Sequence, residues 1–240
     1  MTETSIYVGK DLEAMSFAVN YHRWILEEFR PYIGKRVVEV GAGTGNFSAL
    51  LLAEKPKSLT LVEPSEMFER LEKNISKIKT ETGVELINST FRNAAEKFRA
   101  NAPDTILYVN VLEHVDDDSG ELSVVARVLT PGGHCLIFVP ALQALYGKFD
   151  RKVGHFRRYG RKELEQKCIS AGFDIARSRY FDFAGVLPWF IKYRILRSEE
   201  LGSSAVTMYD RFAVPAVKRF ESLVNVPLGK NILVVARKQA

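Results

Sequence analysis

Three glycines at alternate positions, Gly41, Gly43 and Gly45, follow directly on the run Arg36-Val-Val-Glu-Val40. An acid, Glu39, stands two residues before the first of them. Glycine in such places lets the chain turn tightly and brings bare backbone N–H groups close to a ligand. The dinucleotide-binding fingerprint has its third glycine one place further on; that place is Asn46 here, which weakens a nicotinamide or flavin reading. A purely structural strand-to-helix turn is the plainer alternative. A second acid, Glu63 in Leu61-Val-Glu-Pro-Ser65, ends the next β-rich run, where a carboxylate offers paired acceptors to a diol. Its plainer alternative is a helix cap, favourable by roughly 0.3–1 kcal/mol.

Two histidines are placed for proton transfer. His114 lies in Val109-Asn-Val-Leu-Glu-His-Val115, and His155 precedes Arg157, Arg158 and Tyr159 in the stretch from Leu145 to Tyr159. Either ring can serve as a general base toward a hydroxyl, and either can equally be a packed structural histidine. Guanidinium forks match carboxylate or phosphate in two bonds, so the arginines fit an anionic acceptor or, more plainly, a solvated loop. Adjacent residues of an extended chain point opposite ways. Only one of Arg157 and Arg158 is therefore expected to face the site, with a slight preference for Arg157.

The elements that must carry these residues alternate. A helix is expected over 12–30, ended by Pro31. Strands are read at Arg36–Val40, Ser58–Val62, Val84–Ile87, Thr105–Val109 and His134–Val139, with helices at Phe47–Ala53, Pro64–Lys79 and Gly120–Leu129 between them. A helix over Arg161–Gly172 and strands at Phe173–Phe181 and Asn231–Ala236 complete the pattern. Such alternation argues for a parallel sheet covered by helices on both faces, with right-handed crossovers. The stretch between the last two strands is too long for a plain connection and is read as a helical insertion beside the site. Its aromatic cluster of Phe183, Leu187, Pro188, Trp189, Phe190 and Tyr193 fits core packing, a substrate wall, a dimer face or an interfacial membrane helix.

Glu39, Gly41, Gly43 and Gly45 together resemble the first motif of the class I S-adenosylmethionine-dependent methyltransferases. The Glu63 segment, Val109–Val115 and Pro131-Gly-Gly133 are similar to that family's later motifs. The basic loop with its Gly154-His-Phe-Arg-Arg-Tyr159 core resembles a bacterial subgroup, methyltransferase type 11/12-like, associated with cell-envelope sugars and natural products. The resemblance runs over residues 20–182, and the final strand rejoins it. It implies an α/β fold: a doubly wound, seven-stranded, mostly parallel sheet of the Rossmann-like methyltransferase kind, its last pair antiparallel, with a helical cap insertion. One domain would span 1–240, with residues 1–30 an N-terminal helical lid and 183–230 the insertion.

The cofactor implied is S-adenosyl-L-methionine. Its glycine-turn contacts would be Glu39, Gly41, Ala42, Gly43, Gly45 and Asn46, with Glu63 on both ribose hydroxyls beside Pro64. Asn110 and Val111 would close the other side. The family often has an acid after the third strand for the adenine amine; Asn88-Ser-Thr90 stands there instead, with Ser89 or Asn88 as the substitute and Ser89 and Thr90 counted among the cofactor contacts. Tyr21, Tyr146, Arg157, Arg158 and Tyr159 would meet the acceptor, with His114 or His155 as base if the acceptor is a hydroxyl. A carboxylate acceptor would need no base.

Composition sets limits on this reading. Of 240 residues, 46% are apolar and 26% charged, as in an ordinary globular enzyme. The net charge is +5 and the pI about 9.1. Much of the excess sits in Lys148, Arg151, Lys152, Arg157, Arg158, Arg161 and Lys162, opposed within that stretch by Asp150. Charge so localised argues against a nucleic-acid substrate. Cys135 and Cys168 lack metal-ligand spacing, and no metal site is expected. No signal peptide or spanning segment is read, which points to the cytoplasm without stable membrane insertion. The expected partner is a small-molecule or peptide acceptor, and the chain is expected as a monomer or homodimer. Oxygen is the favoured acceptor atom; N-methylation and a non-catalytic cofactor-binding module are the alternatives.

Overall fold

The computed structural model describes residues 18–198 and 202–239. Seven strands form one sheet: β1 (Arg36–Val40), β2 (Ser58–Val62), β3 (Gly83–Ile87), β4 (Thr105–Val109), β5 (His134–Pro140), β6 (Phe173–Phe181) and β7 (Asn231–Lys238). Their order is β3-β2-β1-β4-β5-β7-β6. The first five pair in parallel, and β7 runs antiparallel between β5 and β6. The sheet is mostly parallel and doubly wound, as the alternation predicts. Strand order reverses between β1 and β4, the point where ligands bind in open α/β sheets.

Side-chain alternation sorts the central strands onto two apolar faces. Val38, Val40, Ile106, Tyr108, Ile137 and Val139 face one way, against Leu122 and Val125 of α5 (Asp118–Val128) and Leu164 and Cys168 of α7 (Arg161–Ser170). Val37, Leu59, Leu61, Leu107, Leu136 and Phe138 face the other. There they meet Trp24, Ile25 and Phe29 of α1 (Val19–Phe29) and Leu51 of α2 (Asn46–Ala53). Burying a large apolar side chain contributes roughly 1.5–3 kcal/mol, so both helix layers are held strongly. The expected helix over 12–30 is seen from Val19, with Ala18 as its N-cap; residues 12–17 of it, like the rest of 1–17 of the expected lid, lie outside the described residues.

Other boundaries shift for local reasons. Helix α3 (Phe68–Ile75) starts later than Pro64, because Glu63 accepts from Ser65 N and the Ser65 hydroxyl from Met67 N, which makes a turn first. Two helices too short to show a period, α4 (Phe91–Ala94) and α6 (Lys148–Lys152), were not read from the sequence. The second of them structures part of the basic stretch.

Between β6 and β7 lie α8 (Val186–Trp189), a π-helical turn Phe190–Ile195, α9 (Ser203–Met208), a second π turn Tyr209–Ala213 and α10 (Val214–Glu221). Asp210 accepts from the backbone N–H of Asn20 and Tyr21 at 3.0 and 2.8 Å, so this segment caps the start of α1. Asp182, buried after β6, receives Lys230 Nζ at 2.9 Å, Gly185 N at 3.0 Å and the Tyr209 hydroxyl, and lies 3.1 Å from the Tyr21 hydroxyl. These two acids fasten helix α1 to the 183–230 segment over the carboxyl ends of the strands. Among the described residues no helix is long and apolar enough to cross a membrane.

Candidate functional site

The three glycines all have positive φ, at 68°, 56° and 88°. A Cβ on Gly41 would stand 2.4 Å from Val111 Cγ2, so backbone and side chain there touch in a way that only glycine permits. The turn is pinned by Gly41 N to Val62 O at 2.8 Å and by Gly43 N to Glu63 Oε2 at 2.7 Å. A cleft of about 1150 Å³, open at its mouth, begins at this turn and runs across the carboxyl ends of β1, β4 and β5. Glu39, Gly41, Ala42, Gly43 and Asn46 line it, and so does Asn110, which sits at φ 55°.

Glu39 is buried and accepts from Ser48 Oγ at 2.5 Å. Burial, with a smaller push from Glu63, raises its pKa to about 8. Glu63 is 5% exposed and lies at the rim of the cleft, outside its lining. Gly43 N occupies one of its oxygens and Ser65 N the other. Each carboxylate oxygen still has a lone pair to offer. The cap alternative is therefore part of the geometry.

Several expected contacts are placed elsewhere. Gly45 caps α2 against Leu71 and Ile75, and Val111 packs on Gly41 rather than facing the cleft. Pro64 is exposed, Thr90 caps α4 through a bond from Asn93 N, and Ser89 is half-buried; all three lie outside the lining.

At the opposite end the cleft closes on a compact group. His155 Nδ1 lies 2.9 Å from Asp150 Oδ1, and its Nε2 lies 3.8 Å from Glu113 Oε1. The His114 and His155 rings meet edge to face at 4.6 Å. Burial and the neighbouring His155 lower His114 to about 3, against a backbone hydrogen bond to Gly154. Glu113 is fully buried, and neither carboxylate oxygen has a hydrogen-bond partner. Burial pushes its pKa up to about 7, with the facing His155 working against that rise. Nothing in the Leu-Glu-His sequence sets Glu113 apart from a surface acid; its burial does.

The basic loop reverses the expected order. Tyr159 forms a parallel bridge to Ala141 beside β5, its N–H donating to Pro140 O at 2.9 Å. Residues 157 and 159 then share one face. Arg157 Nη1 and the Tyr159 hydroxyl both reach Asp118 Oδ2 at 2.8 Å, away from the cleft. Tyr159 is buried in the core, and Tyr146 spends its hydroxyl on the His155 carbonyl at 2.7 Å, outside the cleft lining.

Arg158 is the inward residue, correcting the preference for Arg157. Its Nε meets Asp150 Oδ1 at 2.7 Å, and its guanidinium lies 4.8 Å from the Trp189 ring centre. Burial pulls Arg158 down from its usual value, with Asp150 opposing. Burial also disfavours the charge on Asp150, but His155, Arg158 and Gly147 N outweigh it and hold that carboxyl low.

The remaining wall comes from distant segments. Tyr21, His22, Phe138, Phe149, Trp189, Lys230 and Asn231 line the cleft. Tyr21 was expected there; the others carry no local motif. Burial lowers His22 to about 4, so it is a neutral ring in the wall. A second, mostly apolar cavity of about 760 Å³ adjoins the first and shares Tyr21, Trp189 and Lys230 with it. Of the aromatic cluster, Trp189 and Tyr193 pack on Phe149, while Leu187 and Phe190 stay exposed.

A family model described as a methyltransferase domain matches residues 20–178. A curated relative, the ubiquinone biosynthesis O-methyltransferase of Vibrio atlanticus, is 28% identical over 111 residues, 46% of each chain. The chain thus spans about half the length of the curated relatives it matches. Among solved structures, a methyltransferase in complex with the Trm112 methyltransferase activator of Haloferax volcanii superposes with TM-score 0.65 at 14% identity, covering 97% of this chain and 95% of that one. A SAM-dependent methyltransferase from Archaeoglobus fulgidus gives TM-score 0.60 at 17% identity, with 95% and 98% covered. The glycine turn, the sheet order and the matched 20–178 segment place this chain in the methyltransferase-domain family.

Proposed function

We propose that this methyltransferase alkylates a hydroxyl oxygen of a small, largely apolar molecule. The observation that carries the reading is the fully buried Glu113 carboxylate, unpartnered at the cleft floor beside a His155 ring that Asp150 orients. Such a group is built to handle a proton. A carboxylate acceptor would instead want an available cation. The two cations in the lining, Arg158 and Lys230, are already paired with Asp150 and Asp182. The O-methyltransferase name of the Vibrio relative points the same way.

The residues fit the cofactor. Bound there, S-adenosylmethionine supplies an activated methyl group on a sulfonium sulfur. Glu39 has a single side-chain partner and faces the cleft, so it suits the ammonium of an amino-acid moiety. Glu63, with its spare lone pairs at the rim, suits the ribose diol. The bare glycine turn lets both approach the backbone. In-line alignment of two reactants can supply ~7–11 kcal/mol of a barrier, and here the aligning walls are Phe138, Trp189 and Tyr21. Helix α1 and the 183–230 segment, fastened by Asp182 and Asp210, act as the lid that keeps water out. Of the two histidines His155 activates the hydroxyl, since His114 near 3 is too weak a base at neutral pH.

The test is S-adenosylhomocysteine release with matched phenol, carboxylate and amine acceptors of one aromatic skeleton. Turnover with the phenol, and His155→Gln lowering kcat by ~10²–10⁴ without changing cofactor affinity, is expected. Turnover of the carboxylate or amine in preference would contradict the reading.

A further inference from the structure

We infer that the acceptor carries a hydrocarbon chain on its hydroxyl-bearing head, and that the apolar cavity beside the cleft is the seat of that chain. The inference rests on the hydroxyl reading and narrows its substrate class. The cavity measures about 760 Å³, within the ~300–1,000 Å³ of ligand pockets. Protein interiors hold few voids larger than a water molecule, so apolar space of this size is not a packing flaw.

Its position ties it to the acceptor rather than to the cofactor. It meets the cleft at Tyr21, Trp189 and Lys230, which line both spaces, whereas Glu39, Gly41 and Gly43 line the cleft alone. Lys230 Nζ stands 4.9 Å from the Tyr21 ring centre and 5.5 Å from that of Trp189, and Asp182 holds it there at 2.9 Å. The Trp189 ring centre also lies 4.8 Å from the Arg158 guanidinium, whose Nε shares Asp150 Oδ1 with His155 Nδ1. The junction therefore belongs to the His155 end of the cleft. A head group held at His155 can trail a substituent past Trp189 while the cofactor occupies the glycine end.

The chemistry of the wall suits an apolar occupant. Ala18, Pro188, Ala205, Val206 and Val214 supply apolar surface. Among the described residues, the polar side chains of the wall are already engaged. Asp210 accepts from Asn20 N and Tyr21 N, and the Tyr209 hydroxyl donates to Asp182. The Tyr21 hydroxyl lies 3.1 Å from Asp182 and 3.0 Å from Asn231. Lys192 has its ammonium over the Tyr193 ring at 5.2 Å. A polar group entering here would leave water without gaining partners. A hydrocarbon chain gains ~4-fold in affinity per buried methylene, the equivalent of ~0.8 kcal/mol.

The experiment is calorimetric titration of 4-alkylphenols, from ethyl to hexyl, into the full chain saturated with S-adenosylhomocysteine. Affinity should climb ~4-fold per methylene, on the order of 200-fold over the series. Repeating the titration on the unliganded chain keeps the test independent of the cofactor. Two variants narrow the cavity at residues that do not line the cleft. Val206→Trp enlarges a wall side chain, and Gly202→Trp adds one where φ is −70° and a Cβ meets nothing within 4 Å. Each should keep S-adenosylhomocysteine affinity within about twofold, which is the folding control, and hold the gain from ethyl to hexyl below about tenfold. Equal wild-type affinities along the series, failure of every member to bind, or a climb that persists unchanged in every folded variant overturns the chain site. Methyl transfer to the same phenols is read separately, as S-adenosylhomocysteine released from S-adenosylmethionine. Chain-dependent affinity without transfer to the phenol oxygen overturns the hydroxyl reading and leaves the chain site standing.

Discussion

Binding of S-adenosylhomocysteine should expel a proton from Glu39. With its pKa raised to about 8 by burial, this carboxyl is ~90% protonated in the free protein at pH 7. An ammonium set against it favours the ionised form, so the bound state carries the charge and the proton leaves. Affinity must then rise with pH below 8 and level off above it. From pH 6 to pH 8 the fraction of ready carboxylate grows ~50-fold, and the association constant should follow, with the steeper ~9-fold step between 6 and 7. At pH 7 the penalty is one pKa unit, or about 1.4 kcal/mol. Isothermal titration in phosphate and in Tris, whose ionisation enthalpies differ, reads the released proton directly. About 0.9 proton at pH 7 is expected for the wild type and none for Glu39→Gln, whose affinity should also lose its pH dependence. A flat affinity from pH 6 to 8 with equal heats in both buffers would refute the assignment of Glu39 to the ammonium.

Other consequences follow from the same contacts. Arg158→Ala takes the guanidinium from the buried Asp150, which keeps hydrogen bonds from His155 and Gly147, a loss of up to ~3–5 kcal/mol, and should lower the melting temperature by several degrees. Arg157→Ala removes contacts to Asp118 and to the Asp116 carbonyl that lie away from the cleft, and Asp118 keeps Lys167, so cofactor affinity should stay within twofold by calorimetry. Gly41→Ala forces a side chain to φ 68° and into Val111, so it should cost ~1–2 kcal/mol for the conformation alone and weaken S-adenosylhomocysteine binding in a thermal-shift titration. Trp189→Ala should raise the acceptor KM more than it changes cofactor affinity, because the ring stands between the cleft and the apolar cavity beyond it.

What the sequence made legible is what local chemistry dictates. The glycine turn, Glu39 and Glu63 announce themselves by residue type at fixed spacing, and strands such as Arg36–Val40 and Thr105–Val109 by unbroken burial. Phe138 could not be told from core by sequence, since it faces the same way as Leu136 and opens to the cleft only at the strand end. The facing of Arg157 and Arg158 hangs on a single bridge, Ala141 to Tyr159; a one-residue slip would exchange them. Lys230, Trp189 and His22 reach the cleft through contacts between segments far apart in the chain, which no spacing rule records. Glu113 became conspicuous only when its surroundings showed that nothing satisfies it.

A crystal structure with S-adenosylhomocysteine bound tests the central claim most directly. The ammonium should lie against Glu39, the ribose hydroxyls against Glu63, and the sulfur should face the Glu113–His155 end of the cleft, with room for a methyl group between them. A ligand seated in the apolar cavity instead, or a sulfur turned away from Glu113 and His155, would contradict the account.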